Sequence, residues 1–239
     1  MFDFSGKKII VTGASSGVGR ETAILLSQMN AKVVMIARRE NELKNTMSML
    51  NRGDHCYRVT DLSDFGGTVQ TVKDIVVSDG QKIDGVAHCA GATRITTIRA
   101  VTEAILDSMF RLNLYSLAAI LKCAASKKYF NSNASIIAIS SGVALNGEKG
   151  NVAYSAAKAA MIGLVKSANY ELQEYGIRTN LICPWGIDTP MLRTVYEQGS
   201  QLSIDFSQTM SPQQIANIMC FYLSPYSDAI TGTYITFGE

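Results

Sequence analysis

Lys8-Ile9-Ile10-Val11-Thr12-Gly13-Ala14-Ser15-Ser16-Gly17-Val18-Gly19 reads as a buried strand, a glycine-rich turn and the first residues of a helix. Each glycine has a separate task. Gly13 permits the tight turn, Gly17 lets backbone approach a pyrophosphate, and Gly19 lets the helix pack closely on the strand. Amides at the start of such a helix face bound phosphates. Outward from this run, strand candidates fall near residues 7–12, 32–37, 55–60, 84–89, 134–140, 178–183 and 233–236, with helical patterns between them. Apolar runs such as 32–37 and 135–140 suit strands covered on both faces by crossover helices. Right-handed crossovers turn this alternation into an α/β fold, a doubly wound, mostly parallel seven-stranded sheet of the Rossmann type. The least patterned segment runs from Trp185 to Ser211.

Composition narrows the function. The 239 residues suit one α/β domain spanning 1–239, with no internal repeat or Pro/Gly-rich linker to divide them. The formal charge is +2, and no basic run exceeds two residues. Aromatics do not interleave with Lys or Arg, which argues against nucleic acid as a partner. No stretch is expected to approach the ~20 apolar residues of a membrane span, and Met1-Phe2-Asp3-Phe4 lacks the order of a signal peptide, so a cytoplasmic protein is expected. Cys56, Cys89, Cys123, Cys183 and Cys220 are scattered, with only His55 and His88 as imidazoles. They read as buried thiols, with no metal site expected. His88 itself reads as a core histidine with a satisfied ring.

Tyr154-Ser155-Ala156-Ala157-Lys158 carries the chemistry, because one helical turn puts a phenol and an ammonium on one face. A phenol ionises near pH ~10 in water, and an adjacent cation favours the phenolate, moving the acid toward working pH. Ser141, thirteen residues upstream of Tyr154, is placed to hold a substrate oxygen. No histidine and carboxylate stand at a spacing that makes this serine a nucleophile. Asn113 lies inside a long helical pattern, where asparagine is a poor helix former unless its amide meets backbone or water.

Thr12-Gly-x-x-x-Gly-x-Gly19, Asn113, Ser141, Tyr154 and Lys158 together resemble the short-chain dehydrogenase/reductase family, and the match covers nearly the whole chain. The resemblance implies a nicotinamide dinucleotide contacted by Gly13, Ser15, Ser16, Gly17, Val18 and Gly19, and by Asp61 and Leu62 near the adenine. It extends those contacts to Cys89, Ala90 and Gly91, to Tyr154 and Lys158, and to Pro184, Ile187 and Thr189. Arg38 and Arg39 stand where an NAD site usually has an acid, and their donors suit a 2′-phosphate, which favours NADP(H) over NAD(H). By the same resemblance Asn113 bends its helix and holds a water on a proton path, and Lys158 orients the ribose. Tyr154 is the general acid and Ser141 polarises a carbonyl as hydride leaves the nicotinamide.

Two departures from the family pattern stand out. His88-Cys89-Ala90-Gly91 replaces Asn-Asn-Ala-Gly, and Trp185 replaces a glycine after Pro184, putting the local turn geometry in question. Substrate choice is expected to rest on Arg94, the 143–151 stretch, Met191, Arg193 and Tyr196. The expected partner is a small carbonyl or alcohol. A carrier-linked 3-oxoacyl group is also in view, with Lys127-Lys128 as a contact for an acidic carrier protein. The resemblance further implies a homo-oligomer, a dimer or tetramer. A different class, an NADP(H)-binding sensor with little turnover, remains open.

Overall fold

The computed structural model describes residues 2–197 and 206–238, apart from the side chains of Val195 and Tyr196. The described strands are β1 (Lys8–Thr12), β2 (Lys32–Ala37), β3 (Cys56–Val59), β4 (Ile83–His88), β5 (Phe130–Ile139), β6 (Arg178–Pro184) and β7 (Tyr234–Phe237). They form one seven-stranded sheet in the order β3-β2-β1-β4-β5-β6-β7. Every pairing is parallel, so the expected mostly parallel sheet is wholly so. Alternate residues of β1 face opposite layers. Ile10 joins Val34, Ile36 and Val86 under α3 (Phe65–Val77), α5 (Ser116–Ala124) and α7 (Val152–Leu172), whereas Ile9 and Val11 join Val33 and Met35 under α1 (Gly17–Gln28), α2 (Glu40–Met49) and α9 (Pro212–Leu223). With both faces covered, strands of β-branched residues are favoured.

The strand order reverses between β1 and β4, and parallel sheets open a crevice beyond the carboxyl ends of the strands at such a point. A cleft of about 720 Å³ lies there. The opposite end of the sheet is closed by charge pairing. Lys8 is fully buried, and its Nζ donates to Asp79 Oδ1 at 2.5 Å, Gln81 O at 2.8 Å and Ile75 O at 3.3 Å. Lys32 pairs with the other oxygen of Asp79 at 2.9 Å and with Asp54. Lys127 and Lys128 precede β5 and therefore sit at this end, away from the cleft.

Three expectations need correction. The fifth strand starts at Phe130 rather than 134, because Asn133 takes a left-handed conformation (φ 68°) and the β4–β5 register shifts there. That lets the polar Asn131-Ser132-Asn133 stretch belong to an irregular strand. The run Glu103–Ala124 is long and apolar enough to cross a membrane by length and composition. It comprises α4 (Glu103–Phe110), a π-helical turn at Arg111–Tyr115, and α5, whose Leu117, Ile120 and Ala124 are buried against the fold. Finally, the 185–211 segment is partly regular. Short helix α6 (Val143–Asn146) precedes α7, α8 (Pro190–Glu197) follows β6, and Ile187 bridges Met210. Residues 198–205 lie outside the described residues, as does the Tyr196 side chain.

Candidate active site

The glycine turn is packed as its residue types demand. A Cβ on Gly19 would lie 2.4 Å from Gly13 O, and one on Gly13 (φ +67°) would lie 2.9 Å from Ala90 N. Ser16 precedes α1 without a side-chain cap, so the first amides of that helix keep their donors for another acceptor. Across the cleft Thr189 comes within 3.3 Å of a Cβ placed on Gly17. Arg39 donates to Ser15 Oγ at 3.0 Å and Ser16 Oγ at 2.8 Å, and Arg38 is exposed on the same rim. Serine hydroxyls, two guanidiniums and an uncapped helix start make a donor-rich end, which fits the phosphates of a nicotinamide dinucleotide. Leu62 and Thr60 line the cleft with Val18, Cys89, Ala90, Gly91, Pro184 and Ile187. Asp61 is not among the lining side chains. Its carboxylate accepts from Ser63 N at 3.0 Å and Ser63 Oγ at 2.8 Å.

Asn113 sits at the centre of the π-helical turn, fully buried. Its Nδ2 donates to Met109 O at 2.9 Å and Ala92 O at 3.0 Å, while its Oδ1 accepts from Ala92 N at 3.3 Å. The side-chain amide thereby serves a carbonyl that the widened turn leaves open. Gly91 lies against it, and a Cβ there would sit 2.9 Å from Asn113 Oδ1 and 3.3 Å from Lys158 Nζ.

His88 ties the two sides of this region together. Its Nδ1 lies 3.0 Å from Thr12 Oγ1 and its Nε2 3.1 Å from Ser116 Oγ. Ser116 spends its single proton on Leu112 O at 2.5 Å, and Thr12 Oγ1 already accepts from Ala90 N at 3.1 Å. The network therefore assigns the proton to Nε2, with Thr12 donating to Nδ1. Burial pushes the imidazole down to about 3, so it is neutral. The histidine that replaces the family's asparagine thus has a fully satisfied ring in the core.

Ser141, Tyr154 and Lys158 meet on the far wall. Ser141 and Tyr154 line the same wall, and Lys158 Nζ lies 5.7 Å from the phenol ring centroid. Ser140 is turned away and donates to Lys158 O at 2.9 Å. Lys158 is buried, with no carboxylate partner among the described residues, and Nζ donates to Ile139 O at 2.8 Å. Burial pushes the Lys158 ammonium down to about 8. Burial also pushes the Tyr154 phenol up to about 12, opposed by the Ser141 hydroxyl and reinforced by the Glu148 carboxylate. The expected lowering by the ammonium is not among the influences on the phenol, which desolvation dominates. A protonated phenol at neutral pH is a ready donor.

Trp185 poses no backbone strain, since it is absent from the described non-glycine residues with positive φ. Its N donates to Phe237 O at 3.0 Å, and its indole lies on Gly142, where an added Cβ would come within 2.5 Å of the ring. It therefore narrows the cleft beside Ser141. Cys89 lines the cleft as a thiol pushed up to about 12 by burial, a poor nucleophile. Arg193 is engaged by Asp188 at 2.6 and 2.7 Å and stacks 5.3 Å over Phe206, whereas Arg94 is exposed. Met191 lines the cleft. Glu148 and Asn151 also line it. Both fall in the 143–151 stretch expected to shape substrate choice, but nothing in their spacing singled them out.

A fold of this topology, with a glycine turn facing a Ser–Tyr–Lys wall, defines a class of nicotinamide-dependent oxidoreductases, and sequence comparison agrees. The short chain dehydrogenase family profile matches residues 7–200. The short-chain dehydrogenase/reductase aba4 of Botryotinia fuckeliana is 32% identical, over 98% of this chain and 95% of that protein. The 3-oxoacyl-[acyl-carrier-protein] reductase FabG of Salmonella typhimurium is 31% identical, over 96% of this chain and 94% of that protein. The crystal structure of levodione reductase superposes with a TM-score of 0.87 at 22% identity, covering 98% and 97% of the two chains, and shares the fold. The chain belongs to the short-chain dehydrogenase/reductase family.

Proposed function

We propose that this protein is an NADP(H)-dependent ketoreductase in which Tyr154 is the general acid. One observation carries the reading: Ser141, Tyr154 and Lys158 line one cleft whose other end is the glycine turn with Arg38 and Arg39. When bound, the dinucleotide supplies hydride chemistry. Ser141 holds the carbonyl oxygen, and the protonated phenol of Tyr154 gives that oxygen its proton. Lys158 keeps a cation beside the phenol and stabilises the phenolate left behind. Asn113 and Gly91 hold Lys158 and the turn in register. Arg38 and Arg39 meet the 2′-phosphate, with Ser15 and Ser16 already oriented by Arg39.

The similarity to FabG supports a 3-oxoacyl substrate, free or carrier-linked. The position of Lys127-Lys128 at the other end of the sheet argues against those lysines as the carrier contact. The indole packed beside Ser141 favours a second reading, an NADP(H)-binding sensor with little turnover. A screen of ketones and 3-oxoacyl thioesters with NADPH and with NADH tests both. We expect oxidation of NADPH at a rate at least roughly tenfold above NADH, and loss of turnover with retained NADPH binding in Tyr154→Phe. Substantial turnover by Tyr154→Phe overturns the acid assignment, and tight NADPH binding without turnover across the panel favours the sensor.

A further inference from the structure

Resting on the ketoreductase reading, we propose that Glu148, held by Asn151, selects substrates that carry a hydrogen-bond donor, a hydroxyl or an ammonium, close to the reacting carbonyl.

Charge in the cleft is sorted by position. Among the described lining residues the cations are Arg38, Arg39 and Lys158, and the sole acid is Glu148. Glu148 belongs to the segment joining Ser141 to Tyr154, so the acid stands at the substrate end and the arginines at the dinucleotide end. Glu148 lines the cleft together with Ser141, Tyr154 and Lys158.

The acid is built into the site. Asn151 Nδ2 donates to Glu148 Oε2, and Asn151 N donates to Glu148 O at 3.1 Å. Gly147 (φ 69°) and Gly150 (φ 85°) frame the turn that carries it. Thr96 N donates to Gly150 O at 2.5 Å and Val152 N to Thr96 O at 3.3 Å, clamping that turn to the neighbouring segment. Asn151 is 5% exposed, and its Oδ1 has no donor. Asn151 Oδ1 is buried and unpaired, and the exposed Glu148 carboxylate, with lone pairs to spare, is the acceptor that the pair offers a ligand. A substrate hydroxyl or ammonium gives the carboxylate a charge-assisted partner, whereas a substrate carboxylate or phosphate in the same place meets like charge.

Trp185, the only tryptophan in the chain, lines the same cleft and reports occupancy without turnover. The test titrates 4-hydroxy-2-butanone, 2-pentanone and acetoacetate into the NADP+-saturated protein, following tryptophan fluorescence. It then measures kcat/KM for each with NADPH, in the natural protein and in Glu148→Gln and Glu148→Lys. We expect the hydroxyketone to bind and react roughly tenfold better than 2-pentanone, with acetoacetate poorest. In Glu148→Gln that preference should fall toward unity, and in Glu148→Lys acetoacetate should gain. Equal binding of the hydroxyketone and 2-pentanone, or a preference unchanged in Glu148→Gln, overturns the proposal. Failure of the ketoreductase reading is seen separately: the binding preference would persist with no oxidation of NADPH.

Discussion

Two lysines are buried in this fold, at opposite ends of one sheet. Among the described residues, Lys8 reaches a carboxylate and two carbonyls, whereas Lys158 reaches one carbonyl and no carboxylate. The first is neutralised where it stands, so its charge does structural work. The second keeps an uncompensated cation in a dry wall, and burial pulls it down to about 8. A buried ammonium with a carboxylate closes a sheet, and one without stays available to a neighbour and to a ligand. The contrast also separates stability from chemistry, since one end of the sheet is knitted shut and the other is held open.

The contrast breaks most visibly at Lys158. Replacing it with Met should lower turnover by about 10³-fold or more, because the phenolate loses its cation. The same change should leave thermal stability equal or higher at pH 7. The sign follows from the lowered pKa: the native state carries the cost of the charged amine below about pH 8 and sheds it as pH rises toward 10.5. Melting scans across that range check this, and a large loss of stability at pH 7 would contradict it. The complementary change, Lys8→Met, should cost about 2 kcal/mol, less than a fully buried pair because Asp79 is 29% exposed. Turnover per folded molecule should hold. Urea melts beside steady-state rates separate the two quantities.

His88 offers a finer test on the open end. Its pKa falls from 6.5 to about 3 in the fold, so the unfolded chain binds the extra proton first as pH drops. Stability from this group is complete above about 6.5 and drains away toward pH 3, with a slope approaching ~1.4 kcal/mol per pH unit. His88→Asn should flatten that limb of the acid-denaturation curve. An unchanged limb would mean that other groups dominate acid unfolding. Nitrogen NMR of the natural protein should report a single tautomer protonated at Nε2.

Much of this was legible because the relevant residues are neighbours in the chain. Lys8 to Gly19 contains its strand, turn and helix start, and Tyr154 and Lys158 share one helical turn, so local spacing reads directly as geometry. Asn113 was legible as a misfit in a helical pattern, and the fold answers the misfit with a π-helical turn. The rest depends on partners brought together by topology. Lys8 and Asp79 are 71 residues apart, and His88 meets Thr12 across 76. Tyr154 illustrates a subtler gap: spacing reveals the ammonium beside the phenol, but not the burial that raises the phenol. For Trp185, sequence raised a backbone difficulty, and the structure shows the indole resting on Gly142 instead.

The chain of hydrogen bonds through His88 has a consequence for proton traffic. From Ala90 N–H through Thr12, His88 and Ser116 to Leu112 O, every proton is spoken for and each bond points the same way. Such a one-way circuit ends on a peptide carbonyl and offers no exit to bulk water. The His88 network is therefore closed on itself, and no proton reaches the cleft wall along it from the fourth strand.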